Sequence, residues 1–220
     1  MSAQQSPRRH PKRPLLVATR SAGKLRELHP LFAAHGLSAI DLAAAGVAET
    51  SEEDALEVFE TFDENALAKA RHFHRVTGLP TVADDSGIVV AALGGLPGVR
   101  SKRWSGRSDL SGQALDDENN RLLLERLRGL ADRSAYYVCA AVYVDDTVEL
   151  VRLGEVHGHV IDDSRGAHGF GYDPYFFSTE LDKTFGEASR AEKEAVSHRG
   201  RAFRALLEAM GSLGDQSVGN

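Results

Sequence analysis

The feature that most constrains this chain is the segment at residues 81–90, where two adjacent carboxylates interrupt an apolar run. Asp84 and Asp85 follow three small or apolar residues, and Ser86 and Gly87 separate them from a second apolar run. Burying neighbouring acids is costly unless a cation or a positioned water offsets the desolvation. The segment predicts either a chemical site where a strand ends, as is usual on an α/β scaffold, or a strand–turn–strand with Asp-Ser-Gly as the turn.

The composition limits the classes of protein to consider. A chain of 220 residues with 42% hydrophobic content can bury one substantial core, so we expect one domain. The net charge of -6 argues against a general binder of polyanions. The single cysteine, Cys139, fits a reducing compartment, and we expect a cytoplasmic protein with no membrane partner. Residues 1–13 should form a disordered basic extension and residues 212–220 a flexible tail.

An anion site is predicted where the first strand meets the first helix. Residues 15–18 form a short apolar run, and apolar residues recur at helical spacing from Leu25 to Phe32. Free backbone N–H groups and the helix dipole would point at the loop between them. Gly23 allows close backbone approach, and Lys24 adds a positive charge. The spacing is too short for a Walker loop, and a plain strand–helix turn with a surface lysine is the alternative.

Two further segments carry polar residues at helical or clustered spacing. An amphipathic helix is predicted to end near Gly78, and Asn65 and Lys69 share one of its faces, either at the surface or on the wall of a cleft. Residues 100–104 form a basic cluster with one tryptophan in an acidic protein. Such a cluster could bind nucleic acid, but it is too short to support that function alone, and we expect no nucleic-acid partner.

The second half of the chain predicts strands. Residues 136–144 and 147–151 are rich in aromatic and β-branched residues, and only Asp145 and Asp146 separate them, which predicts a β-hairpin with a two-residue turn. The strand signal resumes over residues 156–161. His157 and His159 alternate on one face there, where a surface or core role is favoured over metal binding.

The last third of the chain adds three candidate segments. The loop at residues 165–174 mixes glycines with aromatics and one acid, which suits either a planar ligand stacked on a ring or a tight aromatic corner. Ser189 and Glu192 have capping-box spacing and begin a short helix that carries Lys193. His198 and Arg199 follow at a helix junction, where they would either complement a helix C-terminus or aim donors into a pocket.

Six motifs in register resemble a known family, at residues 18–24, 61–70, 83–87, 96–99, 170–174 and 192–200. Together they closely resemble the inosine/xanthosine triphosphate pyrophosphatases, which remove deaminated purine nucleotides. The resemblance implies an α/β fold with an elongated central mixed sheet flanked by helices, in one two-lobed domain at residues 14–211 with a nucleotide cleft between the lobes. It also implies a homodimer, dependence on Mg²⁺, and hydrolysis of a nucleoside triphosphate to the monophosphate and pyrophosphate.

The resemblance implies roles for individual residues. Asp85 resembles the general base and also a metal ligand, and Glu57 resembles the metal-binding glutamate. Because the sequence around Glu57 departs from the family's usual Glu-Thr-Gly, Glu60 or Glu64 could take its place. The first loop has Ser21 where the family usually has Asn, and Arg20 where it has a small residue, which bears on the strength of phosphate binding. The implied substrate contacts are Thr19, Arg20, Ser21, Ala22, Gly23, Lys24, Lys69 and Ser86 for the triphosphate, and Phe170, Gly171, Tyr172, Asp173, Lys193, His198 and Arg199 for the base and sugar.

The residues themselves agree with phosphoryl chemistry, which needs cations on the phosphate oxygens, a metal on carboxylates and a positioned water. Lys24 and Lys69 can supply the cations, Glu57 and the two aspartates the carboxylates, and Asp85 can orient the water. Two other classes stay open. One is a non-catalytic nucleotide-binding protein with a structural aspartate pair, and the other is a weak nucleic-acid binder that uses the basic cluster and the N-terminus.

Overall fold

The computed structural model describes residues 13–216, which surround one seven-stranded mixed sheet. The predicted N-terminal extension lies outside the described residues, apart from Arg13. The strands stand in the spatial order β2-β1-β3-β4-β5-β6-β7. They are β1 (Leu15–Val17), β2 (Ala39–Asp41), β3 (Thr81–Val90), β4 (Ser134–Val144), β5 (Glu149–Val160), β6 (Phe176–Ser178) and β7 (Lys183–Thr184). The helices are α1 (Ala22–Ala34), α2 (Phe62–Thr77), α3 (Gly112–Leu127), α4 (Arg190–Val196) and α5 (His198–Gln216).

The sheet changes from parallel to antiparallel pairing at β3. Strand β1 is parallel to β2 and β3, whereas every pair from β3 to β7 is antiparallel. The pairing of β1 with β3 stops at Val82, whose carbonyl oxygen accepts from the Ala18 N–H at 2.8 Å. Strand β3 continues to Val90, so Asp84 and Asp85 lie just beyond the end of β1.

The prediction that a strand ends or turns at the aspartate pair is therefore wrong. Strand β3 runs unbroken through Asp-Asp-Ser-Gly, because all ten of its residues pair with β4. The long ladder to β4 outweighs the local turn preference of Asp, Ser and Gly. It is the neighbouring strand β1 that ends, which leaves one edge of β3 open beside the loop before α1.

The predicted β-hairpin is confirmed, with a longer turn than expected. Val144 pairs with Glu149, so four residues rather than two connect β4 and β5. The Asp145 carboxylate accepts from the N–H groups of Thr147 and Val148 at 2.8 and 2.9 Å, which stabilises the wider turn. Strand β5 is continuous, so the two predicted strand segments form one element.

The apolar core divides along the long strands β3, β4 and β5. At one end, α1 and α5 cover one sheet face with Phe32 and Phe203, and α2 covers the other with Phe73. At the other end, α3 and the segment after β5 pack around Tyr137 and Phe176. The middle of β3 lies between these two parts of the core.

The helix ends follow their sequence signals. The Thr61 side chain caps the N-terminus of α2, and Gly78 ends it with a φ of 66°. The predicted capping box of α4 is formed by Ser189 and Glu192. Helix α5 extends to Gln216, so residues 212–216 of the predicted tail are helical, and the rest of that tail lies outside the described residues. Within residues 13–216, no helix is both long and apolar enough to cross a membrane.

Candidate active site

Asp84 and Asp85 face opposite sides of the sheet, because successive strand residues alternate. Asp84 contacts Lys24 of α1 and Arg199 of α5, whereas Asp85 contacts Asn65 of α2. Both aspartates are buried, at 1% and 7% exposure. The pair that the sequence presents as one motif thus occupies two separate environments.

The environment of Asp84 is cationic. Its Oδ2 lies 3.1 Å from the Lys24 Nζ and 3.1 Å from the Arg199 Nε. Burial opposes the charge of Asp84, but Lys24 and Arg199 more than offset it and hold the pKa of the carboxyl well below its usual range. Arg199 also donates to the Ser86 hydroxyl at 2.6 Å. Asp84 is therefore a fixed anion that orients two cations.

Glu27 of α1 extends this network, and sequence reasoning missed it. Its carboxylate binds both Lys193, at 2.7 Å, and Arg199. Burial opposes the charge, yet these two cations lower the pKa of Glu27 to about 2. Lys193 donates in turn to Asp173. The partners of Glu27 are 166 and 172 residues away along the chain, so no local pattern could have identified it.

The two loops predicted to bind phosphate and base are in contact. The Phe170 ring lies against Gly23, where an added Cβ would approach the ring to 2.7 Å. The Lys193 Nζ lies 5.0 Å from the centre of that ring, and the Arg199 guanidinium carbon lies 5.7 Å from it. Asp173 closes the loop by accepting from the Phe170 N–H at 2.8 Å. An aromatic face is thus held directly above the N-terminus of α1.

The loop before α1 is built by its own side chains. Ser21 is the N-cap of α1, and its hydroxyl accepts from the Lys24 N–H at 3.3 Å. The Thr19 hydroxyl accepts from the Ser21 N–H at 3.2 Å. Serine and asparagine are both good N-caps, so Ser21 can preserve this turn in place of Asn. Ala22 and Gly23 form the first turn of α1 behind it.

Two predicted contact residues direct their side chains elsewhere. Arg20 forms a two-pronged ion pair with Glu53, at 3.1 and 2.7 Å, and donates to the Val47 carbonyl. Tyr172 is 5% exposed and donates from its hydroxyl to the Ser101 carbonyl. Partners that are distant along the chain, rather than the local sequence, decide where these two side chains point.

On the other sheet face, Asp85 has a neutral partner. The Asn65 amide donates to its Oδ2 at 3.1 Å, and Asn65 is itself fixed by the N–H and carbonyl of Phe59. Burial raises the pKa of Asp85, and the nearby carboxylates of Glu57 and Asp84 raise it further, against Lys24 and Lys69. A carboxyl with a raised pKa is a better proton acceptor than an ordinary aspartate.

Glu57 occupies the neighbouring position. Its carboxylate pairs with the buried Lys69 and with Arg103, whose Nη1 lies 3.0 Å away. Burial opposes the charge of Glu57, but Lys69 and Lys24 lower its pKa to about 2. Arg103, one residue of the basic cluster, is thus engaged in an ion pair at the site.

The other two candidate glutamates lie away from this group. The Glu60 side chain is 81% exposed and lies 3.7 Å from Arg100. The Glu64 carboxylate accepts at 2.6 Å from the hydroxyl of Thr61, the N-cap of α2. Glu57 is therefore the glutamate that lies with Asp85 and Lys69.

His198 is buried and stacks on Tyr137, with ring centres 4.6 Å apart and planes 7° apart. Burial and the adjacent Arg199 charge hold the pKa of His198 well below its usual value, so the ring is neutral at pH 7. A neutral imidazole keeps one N–H donor and one acceptor nitrogen. The other predicted histidines, His157 and His159, are exposed on β5 and lie outside this group.

The donor chemistry around Asp85 fits Mg²⁺. The carboxylates of Glu57 and Asp85 lie close enough for the negative charge of Glu57 to disfavour ionisation of Asp85. A divalent cation bound between them would relieve that repulsion. Among the described residues, no three His, Cys, Asp or Glu side chains form a metal cluster. Mg²⁺ commonly uses only one or two carboxylates and completes its shell with water and substrate phosphates.

A strand–loop–helix junction with a lysine beside the helix N-terminus is typical of α/β proteins that bind phosphorylated ligands. The sequence profile of the Ham1 family matches residues 15–209. The chain belongs to the Ham1 family.

Similar proteins agree with this family. The chain is 46% identical over 202 residues to a dITP/XTP pyrophosphatase of Burkholderia pseudomallei, which covers 90% of this chain and 94% of the relative. It is also 47% identical over 195 residues to the dITP/XTP pyrophosphatase of Frankia alni, and this alignment covers 87% of this chain and 94% of the relative. The solved HAM1 protein of Coxiella burnetii superposes with a TM-score of 0.77 at 34% identity, over 90% of this chain and 98% of that one. The predicted family and fold class are confirmed.

Proposed function

We propose that this chain hydrolyses deaminated purine nucleoside triphosphates, those of inosine, deoxyinosine and xanthosine, to the monophosphate and pyrophosphate. The observation that carries the proposal is the contact of Phe170 with Gly23, which places an aromatic platform over a helix N-terminus. A base stacked on the ring would direct its phosphates towards Lys24 and the loop N–H groups. The relatives named dITP/XTP pyrophosphatase support the same substrates.

When the triphosphate binds, its oxygens would replace the carboxylates that are now paired with the lysines. Lys24 is paired with Asp84, and Lys69 with Glu57. Phosphate oxygens can accept from the same ammonium groups, from the first N–H groups of α1 and from the Ser86 hydroxyl. The pairs keep the lysines oriented before substrate arrives, which lowers the cost of ordering them on binding.

Asp85 is the base in this proposal, and Asp84 is not. Asp85 has a neutral amide as its side-chain partner, which leaves it able to accept a proton from the attacking water, whereas Lys24 and Arg199 occupy Asp84 and make it a poor acceptor. Asn65 fixes the Asp85 Oδ2 and leaves further lone pairs on the carboxylate for that water. Mg²⁺ would be held by Glu57 and Asp85, and when bound it stabilises charge that develops on the phosphate oxygens.

Selectivity for the base rests on donors. An oxygen at C6 of the purine accepts hydrogen bonds, whereas the amino group of adenine donates them. Arg199 uses three of its five N–H groups on Asp84, Glu27 and Ser86, and two remain for a base on Phe170. Donors that face an amino group are left unpaired, which costs about 1–3 kcal/mol for each buried group. Such sites can discriminate by roughly 10⁴-fold.

A homodimer and a cytoplasmic location belong to the same proposal. On strand β5, Leu153 is 61% exposed, and His157 and His159 are exposed on the same sheet face. In this proposal, this exposed strand face with Leu153 and two imidazole rings pairs with a second copy about a two-fold axis. The buried free thiol of Cys139 fits a reducing compartment. Light scattering of the purified chain should give twice the mass of 23.8 kDa.

The test is a substrate panel in which pyrophosphate and orthophosphate are measured separately. We expect pyrophosphate from the triphosphates of inosine, deoxyinosine and xanthosine, only with Mg²⁺, and far lower kcat/KM for adenosine triphosphate. Binding without pyrophosphate release would instead favour a non-catalytic nucleotide-binding protein. Orthophosphate and a diphosphate as first products, or equal kcat/KM for inosine and adenosine triphosphates, would contradict the proposal.

A further inference from the structure

Helix α3 holds the loop that carries Phe170, and the sequence motifs give it no role. Two of its residues, four positions apart, bind one residue of that loop. The Asp116 Oδ2 accepts from the Gly171 N–H at 2.8 Å, and the Asn120 Nδ2 donates to the Gly171 carbonyl at 2.9 Å. Residues four apart lie on one face of a helix, so both polar groups of Gly171 are fixed by a single rigid element.

These two bonds matter because of where Gly171 stands. It follows Phe170 and has a φ of 64°, a backbone conformation that glycine adopts without strain. The N–H of Phe170 is already held by Asp173, at 2.8 Å. The peptide groups on both sides of Phe170 are therefore anchored, one by Asp173 within the loop and the other by Asp116 from α3.

The burial of Asp116 and Asn120 indicates that these polar side chains do more than keep the helix surface soluble. Asn120 is 4% exposed and Asp116 is partly buried, and burial raises the pKa of the Asp116 carboxyl against the Gly171 N–H. The adjacent Asp117 is exposed and only accepts from Gln113 on its own helix, at 2.8 Å. A carboxylate that only served solubility would sit as Asp117 does. The chain instead retains a partly desolvated acid where a loop N–H needs an acceptor.

We propose that Asp116, together with Asn120, is a positioning residue that holds the Phe170 ring ready for the purine. The inference rests on the proposed function, in which the base stacks on Phe170. Without the bond from Asp116, the loop samples other arrangements, and the substrate must select the competent one. The apparent affinity then falls in proportion to the fraction of molecules whose loop is in the competent arrangement, while the bound complex reacts at the same rate.

The reacting groups are separate from this clamp. Asp85, Glu57 and Lys69 lie on the sheet face that α2 covers, and no described hydrogen bond joins them to Asp116 or Asn120. A positioning role therefore predicts a change in KM with little change in kcat. A role in the general stability of the fold would lower the melting temperature and affect every ligand alike.

The experiment compares Asp116→Ala, Asp116→Asn and the matched control Asp117→Ala. We expect Asp116→Ala to raise KM for inosine triphosphate about tenfold, the scale of one lost charged hydrogen bond, with kcat within about twofold. Asp116→Asn keeps an oxygen that can accept from Gly171 and should restore KM to within about twofold. Asp117→Ala should match the unmodified chain. Inhibition by imidodiphosphate, which reports the phosphate side alone, should be equal in all of them.

Three outcomes would overturn the inference: an unchanged KM in Asp116→Ala, a fall in kcat without a rise in KM, or an equal loss of imidodiphosphate inhibition. If Asp116→Ala does not fold, Asn120→Ser is held to the same criteria. If the unmodified chain releases no pyrophosphate, the proposed function fails by itself. Equilibrium binding of inosine triphosphate then tests the clamp, with a roughly tenfold weaker Kd expected for Asp116→Ala and an equal Kd contradicting it.

Discussion

The two faces of β3 place neighbouring carboxylates in opposite chemical situations. Asp84 lies between Lys24 and Arg199, which hold its pKa well below the usual range. Asp85, one residue later, has the neutral amide of Asn65 as its partner, and its pKa is raised. The difference shows that burial alone does not make a base. The cations on one face produce a fixed anion, and their absence from direct contact on the other leaves a proton acceptor.

The largest expected effect is on stability, from the Asp84 face. Asp84→Ala removes the carboxylate between two buried or partly buried cations, so we expect a loss of about 3–5 kcal/mol, the usual cost of breaking a buried ion pair. Urea unfolding followed by circular dichroism measures it. Asp85→Ala is the matched variant on the other face and should cost much less. Equal losses would show that the two faces do not differ in this way.

On the opposite face the expected effect is catalytic. Asp85→Asn keeps the shape and the contact with Asn65 but removes the proton acceptor, so kcat should fall by about 10²-fold or more. Stability near neutral pH should not fall, because a raised pKa means that the charged form of Asp85 is disfavoured by folding. Pyrophosphate release and the unfolding midpoint are measured together. A folded Asp85→Asn protein with near-normal turnover would remove Asp85 from the mechanism.

A third comparison separates the candidate metal glutamates. Glu57→Gln should raise the Mg²⁺ concentration needed for half-maximal activity by about tenfold or more, since outer or inner ligands of a metal commonly contribute on that scale. Glu60→Gln is the matched control, because Glu60 is exposed and remote from Asp85. An identical Mg²⁺ dependence in both variants would show that Glu57 is not a ligand.

A further comparison concerns the pH dependence of stability that Glu27 contributes. Its pKa falls from 4.5 to about 2 on folding, so its contribution is fully present above about 4.5 and is lost as the pH falls towards 2. Glu27→Gln should therefore flatten the decline of the urea midpoint between those pH values. A variant that follows the same decline as the unmodified chain would show that Glu27 is not the group responsible.

Local sequence was sufficient for some of this structure and insufficient for the rest. The two apolar runs on either side of Asp-Asp-Ser-Gly, the α2 face with Asn65 and Lys69, and the hairpin after residue 134 follow from periodicity. The continuation of β3 through Asp-Ser-Gly depends on a ladder with β4, which lies more than forty residues later. The pairing of Glu27 with Lys193 and Arg199 depends on how α1 meets α4 and α5. Contacts of that kind are set by topology, which periodicity does not encode.

The direction of a side chain is likewise not predictable from local sequence when its partner lies on another element. In the predicted loops around Thr19 and Phe170, the Arg20 side chain turns to Glu53 and the Tyr172 hydroxyl to Ser101. Both choices follow from partners on other elements. The positions of a site can be predicted from its motifs, whereas the residues that face it need the packing of the whole chain.

The most direct test of the central claim, that water activated on the Asp85 face attacks the α-phosphorus, is hydrolysis of inosine triphosphate in water enriched in ¹⁸O. Mass spectrometry of the two products locates the label. The account predicts one ¹⁸O in inosine monophosphate and none in the released pyrophosphate. Label in the pyrophosphate, or in orthophosphate released with inosine diphosphate, would place the attack at another phosphorus and contradict the account.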